Sequence, residues 1–98
     1  MIKTMRLSTQ ELQTIKATIA PLDPHAQVYL FGSRINNNKR GGDIDLLIIS
    51  HVISQKDRRS IKLKLYDKIG EQKIDIVIAQ DLSEPFVRVA KDEGVLLW

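Results

Sequence analysis

The sequence predicts an α/β (α+β) fold, a small mixed β-sheet of three to four strands flanked by about four helices. Two observations carry this. Three apolar runs of strand length, 26–31, 43–50 and 73–79, are separated by stretches of loop or helical character. A helical pattern joins the second run to the third, which is the connection a parallel strand pair requires. With 98 residues the chain is read as one domain, 1–98, large enough for a single core.

The elements follow in order. Ser8 and Glu11 have the spacing of a capping box. Leu12, Ile15, Ile19 and Leu22 then recur at helical intervals, and Pro21 and Pro24 close that helix. Ala26 to Phe31 is the first strand, ended by Gly32. The segment RINNNKRGG, 34–42, is rich in Asn, Gly and base and reads as a loop. Asp43 to Ser50 is the second strand. It is apolar on both faces, so a central place in the sheet is expected.

From Gln55 to Ile69 a helix is expected, with Ile61, Leu65 and Ile69 inward and Gly70 as its stop. Lys56, Arg58, Arg59, Lys62, Lys64 and Lys68 form its basic side, either a solvated face or a docking face for an acidic partner or nucleic acid. Lys73 to Ala79 is the third strand, with Ile74, Ile76 and Ile78 on one face and Asp75 and Val77 on the other. Ser83 is the expected N-cap of a last helix, with Pro85 just inside it. Phe86, Val89 and Ala90 are its expected apolar side and Gly94 its end. Val95 to Trp98 is expected as a short edge strand or a docked tail.

Composition narrows the function classes. Apolar residues make up 43% and charged residues 28%, an ordinary balance for a globular chain. With no cysteine there is no disulfide, thiolate metal site or thiol nucleophile. No run approaches the roughly 18 apolar residues of a membrane span, and the N-terminus lacks the apolar stretch of a signal peptide. A cytoplasmic protein without membrane contact is the expectation. A net charge of +3 permits a polyanionic ligand without demanding one. Two Phe, two Tyr and one Trp are too few for a stacking platform, so direct nucleic-acid binding is not expected. His25 and His51 lack zinc-ligand spacing. Ser33 lacks the turn motif and histidine base of an acyl nucleophile.

The informative stretch is YLFGSRINNNKRGGDIDLLII, 29–49. Two carboxylates at the mouth of the most apolar strand are costly beside a core. Asp43 and Asp45, two apart on a strand, share a face about 7 Å apart along the backbone and can converge on hard cations. Asp75, flanked by isoleucines, adds a third acid. Two divalent ions bridged by carboxylates are the common device for in-line displacement at phosphorus. Gly32 lets backbone approach a ligand closely, and a helical turn starting at Ser33 would present free N–H groups to a phosphate. If the first two strands are antiparallel, Gly32 and Ser33 lie at the same end of the sheet as Asp43. Arg34, Lys39 and Arg40 sit where they could neutralise phosphate charge.

The joint pattern GSR, GGDIDLLI and KIDIVI resembles the signature of the DNA polymerase beta–like nucleotidyltransferase superfamily. The size of the chain and its DEGVLLW ending resemble the minimal nucleotidyltransferase (MNT) family within it. The resemblance implies a nucleotidyltransferase fold, a nucleoside triphosphate donor and two Mg²⁺ ions. It implies that Asp43 and Asp45 ligate both metals. Asp75 would ligate the catalytic metal and position or deprotonate the attacking hydroxyl. Gly32 and Ser33 would contact the triphosphate; Arg34, which often follows that Gly-Ser in the family, and Arg40, by its place in the loop, are the further nucleotide contacts expected.

MNT proteins are commonly paired with a HEPN-domain toxin. The resemblance therefore implies an antitoxin that transfers AMP from ATP to a tyrosine of that partner. Two other functions stay open: a non-catalytic module acting by steric contact, and nucleotidyl transfer to a small molecule.

Overall fold

The computed structural model describes residues 7–32, 44–69 and 73–98. Its elements are α1 (Thr9–Ile19), β1 (Gln27–Phe31), β2 (Ile44–Ile49), a 3-10 turn (Gln55–Asp57), α2 (Arg58–Ile69), β3 (Ile74–Ala79), α3 (Pro85–Glu93) and β4 (Val95–Leu96). The four strands form one mixed sheet in the order β3-β2-β1-β4. β1 is antiparallel to both β2 and β4, and β2 is parallel to β3. The expected mixed sheet and central second strand are therefore present. Among the described residues there are three α-helices rather than about four. None of the described helices is long and apolar enough to cross a membrane.

Strand alternation sorts the core into two faces. Val28 and Leu30, Ile44, Leu46 and Ile48, and Ile74, Ile76 and Ile78 point to the face that α1 and α2 cover with Ile15, Ile19, Ile61 and Leu65. On the other face Tyr29 and Leu47 meet Val87 and Ala90 of α3, with Phe31, Ile49, Val77 and Ala79 around them. Asp45 and Asp75 belong to this second face.

α1 starts as its sequence directs. The Glu11 amide donates to Ser8 Oγ at 3.0 Å, and the Ser8 amide donates to Glu11 Oε1 at 2.9 Å. Leu22 lies beyond the helix end and is exposed. The expected helix from Gln55 opens instead with a 3-10 turn, where the Ser54 amide donates to Asp57 Oδ2 at 2.9 Å. The N-cap of α3 is Glu84 rather than Ser83, with Pro85 next. The Ser83 amide donates to Asp81 Oδ1 at 2.9 Å, a side-chain turn that holds Ser83 outside the helix.

The buried side of α3 also differs from expectation. Val87 and Ala90 face the sheet, while Phe86 and Val89 are exposed. Apolar residues at 86, 87, 89 and 90 cover so wide an arc that periodicity alone does not choose the inner side. At its end Gly94 admits a close approach: a Cβ there would stand 2.7 Å from the Ala90 carbonyl oxygen and 2.9 Å from that of Leu30. β4 follows as the expected edge strand, and the Leu97 amide donates to the Val28 carbonyl at 2.7 Å. The expected helix stop at Gly70 lies outside the described residues.

A polar lock closes the end of the sheet away from Gly32. Ser50, buried at the end of β2, donates its hydroxyl to Asp23 Oδ2 at 2.6 Å. Its oxygen accepts the Val52 and Ile53 amides at 3.0 and 2.9 Å. This bond from Ser50 comes first, and the His25 amide second, in holding the Asp23 carboxyl below its usual 3.8. The positive charge of His25 and His51 adds in the same direction, against burial. Replacement Ser50→Ala orphans two amides and an acceptor and should cost about 1–3 kcal/mol in urea unfolding. Because the folded Asp23 value is depressed, its contribution is present above 3.8 and is lost as pH falls through the lower folded value. Asp23→Asn should therefore flatten the acid limb of a stability–pH curve below that point.

Candidate functional site

The site is built where β1 ends and β2 and β3 begin. Antiparallel pairing sets Phe31 opposite Asp45. Parallel pairing sets Asp45 opposite Asp75. These three side chains form a row across three strands on the α3 face, and neighbouring strands lie about 4.8 Å apart. Asp45 and Asp75 are both half-buried. Like charges directly opposite one another on a sheet repel, so this row suits a bound cation.

Gly32 completes the described part. It leaves β1 with φ +76°, the left-handed region that glycine adopts without strain. An ideal Cβ at this position would overlap Asp45 Oδ2 and would lie 3.0 Å from Asp45 Cγ. The missing side chain is thus the space that the Asp45 carboxylate uses. Glycine is required here twice, by its dihedral and by its neighbour.

Of the residues singled out from the sequence, Gly32, Asp45 and Asp75 come together at one sheet end. Ser33, Arg34, Lys39, Arg40 and Asp43 lie outside the described residues. The expected condition for the first two strands, antiparallel pairing, is met. Among the described residues no group of three metal-ligating side chains occurs. The described pair is all-oxygen and anionic, a donor set that suits a hard cation such as Mg²⁺ rather than a soft one. The fit to a metal thus rests on two carboxylates in register, with the place of Asp43 just before β2.

Sequence reasoning missed the aromatic side of the site. Phe86, at the first turn of α3, meets Phe31 edge to face, with centroids 6.2 Å apart and planes at 80°. Phe86 is 56% exposed, and its ring packs against Phe31, the cross-strand partner of Asp45. No spacing rule joins positions 31 and 86. Only the packing of α3 across the sheet brings them together.

Residues 13–98 match the family described as polymerase beta, nucleotidyltransferase. The chain belongs to that family. Among solved structures it resembles a chain in the crystal structure of the toxin–antitoxin complex MntA–HpeT. That complex carries a variant in which two aspartates two positions apart are replaced by glutamate. The TM-score is 0.70 at 20% identity, over 89% of this chain and 71% of that one. A second likeness is to a structure of the tri-AMPylated Shewanella oneidensis HEPN toxin in complex with its MNT antitoxin. There the TM-score is 0.68 at 21% identity, over 90% of this chain and 69% of that one. No curated protein matches the chain. These likenesses bear on fold, and the family match makes this a nucleotidyltransferase-superfamily domain.

The glycine gives a direct test. Gly32→Ala should lose about 1–2 kcal/mol of stability from the left-handed dihedral alone. It should also displace the Asp45 carboxylate, read as shifted Asp45 and Phe31 resonances beside the loss of stability. Unshifted Asp45 resonances would separate Gly32 from the site.

Proposed function

We propose that this protein is a Mg²⁺-dependent nucleotidyltransferase that moves AMP from ATP to a hydroxyl of a partner protein, a tyrosine of a HEPN-domain toxin, and so acts as an antitoxin. The observation that carries the reading is the register row in which Asp45 faces Asp75 beside a side-chain-free Gly32. Family membership supports the reaction class. The complexes in which similar chains are found, a toxin–antitoxin pair and an AMPylated HEPN toxin with its MNT antitoxin, support the kind of partner.

The chemistry would run as follows at the chain's own atoms. Gly32 and Ser33 would hold the triphosphate by backbone amides at the strand end. Arg34 and Arg40 would neutralise its charge. Asp43, Asp45 and Asp75 would hold Mg²⁺, which supplies charge neutralisation at the transferring phosphorus when bound. Asp75, on the outermost of the three strands, would take the proton of the acceptor hydroxyl. The new bond joins the acceptor oxygen to the α-phosphorus. The bond from that phosphorus to the bridging oxygen breaks, and pyrophosphate leaves. Positioning and electrostatics supply most of the acceleration in such transfers.

The test is transfer of labelled AMP to a co-expressed partner, followed by intact mass. Asp45→Asn and Asp75→Asn should each lower the rate by about 10²–10³-fold or more. Full transfer by either variant would overturn the mechanism. Neutralisation of the partner in vivo by the doubly substituted protein would instead assign the antitoxin effect to steric contact.

A further inference from the structure

β3 is an edge strand, and its backbone is half used. The Ile44 amide donates to the Lys73 carbonyl and the Ser50 amide to the Ala79 carbonyl, both at 2.9 Å. In a parallel ladder this phase turns the backbone groups of Asp75, Val77 and Ala79 inward to β2. The amides and carbonyls of Ile74, Ile76 and Ile78 therefore point outward, away from the sheet. At Ile78 the carbonyl is taken by Gln55 Nε2 at 2.9 Å, so the edge is closed there. What stays open flanks Asp75. β3 carries no proline, and among the described residues no strand lies beyond it. Natural edges are blunted by proline, charge or cover; here Asp75 supplies a charge and Gln55 covers Ile78, and the outward backbone groups of Ile74 and Ile76 remain as a template that an extended chain can pair with.

The α3 face beside this edge is hollow. A cavity of about 610 Å³ has Val77, Ala79 and Val87 as its apolar floor and Gln55, Asp81 and Ser83 on its rim. Val77 and Ala79 follow Asp75 along the same face of the strand, at every second position. The groove therefore begins at Val77, two positions past the candidate acid, and runs along β3 toward the first turn of α3.

We propose that an extended segment of the acceptor protein adds to the sheet along the edge of β3, pairing with Ile74 and Ile76 and laying side chains in this groove. The occupant follows from the geometry. An extended backbone matches the two-residue repeat of the outward groups at Ile74 and Ile76, and the residue it places opposite Asp75 projects onto the α3 face. That residue extends the row Phe31–Asp45–Asp75 by one strand, which sets it next to Asp75, with Asp45 one strand further in. Backbone pairing supplies affinity, and the groove supplies selection of the residues that follow. This inference rests on the reading of the site as a transferase with a protein acceptor.

Amide exchange by NMR, read residue by residue on the full chain with the co-purified partner, tests it. The expected result is new protection at Ile74 and Ile76 in the complex, while the ladder amides of Asp75 and Val77 are slow with and without partner. In parallel, Ser83→Arg and Ala79→Arg crowd the groove without touching Asp45 or Asp75. Each should weaken partner binding by about tenfold or more and leave Mg²⁺–ATP affinity unchanged. Ser83 is exposed, so its variant keeps the test independent of folding. Protection confined to the exposed side of α3 at Phe86 and Val89, with Ile74 and Ile76 unchanged, would overturn the proposal. Wild-type partner affinity in both variants would do the same. A lost transfer reaction with intact edge protection would count against the chemistry and not against the docking mode.

Discussion

Everything in this structure hangs on the pairing of β2 with unlike neighbours, β1 antiparallel on one side and β3 parallel on the other. Side chains alternate with a period of two, so a slip of one residue would carry every residue of a strand to the wrong face. Ile74, Ile76 and Ile78 must lie over α2, and Ile44, Leu46 and Ile48 with them. Those six apolar anchors fix the register. Asp45 and Asp75 are held opposite each other as a by-product. Two acids that repel are thus brought together by the hydrophobic drive of the residues between them. A slip that relieved the repulsion would bury a carboxylate in the main core, at a greater cost.

The two faces of the sheet divide the labour. One is closed by α1 and α2 and stores most of the buried apolar surface. The other carries α3, which lies over β1 and β2 and meets them with only Val87 and Ala90 buried. Gly94 lets its end come down onto Leu30. A thin cover of this kind leaves Asp45, Asp75 and Val77 half-buried and reachable. The Ser50–Asp23 lock stands at the opposite end of β2, where it braces the strand without occupying the site.

Much of this was legible from residue order. The capping box at Ser8, the three strands and the parallel crossover follow from local chemistry and period. So does the grouping of Gly32, Asp45 and Asp75, once the first two strands are taken as antiparallel. What sequence could not state is register. That Asp45 faces Asp75, and that Gly32 yields its side-chain space to Asp45, depends on how strands slide until the isoleucines are buried. The inner side of α3 was misjudged for a related reason: four apolar residues offered two faces, and the sheet beneath chose. The cap at Glu84 was missed because Asp81 holds Ser83 in a turn of its own, a contest between two local hydrogen bonds. The Phe31–Phe86 pair had no local signal of any kind.

Trp98 has a consequence of a different sort. It is the chain's single tryptophan, and it packs against the core that α1 and α2 cover, with its indole nitrogen buried and no hydrogen-bond partner among the described residues. Its backbone carbonyl accepts the Val28 amide at 3.1 Å, which ties it to β1. Tryptophan emission of this protein is therefore an optical probe of one face only. Its emission follows the melting of the side that α1 and α2 cover. Events beside the carboxylates, on the far side of the sheet, stay dark to it.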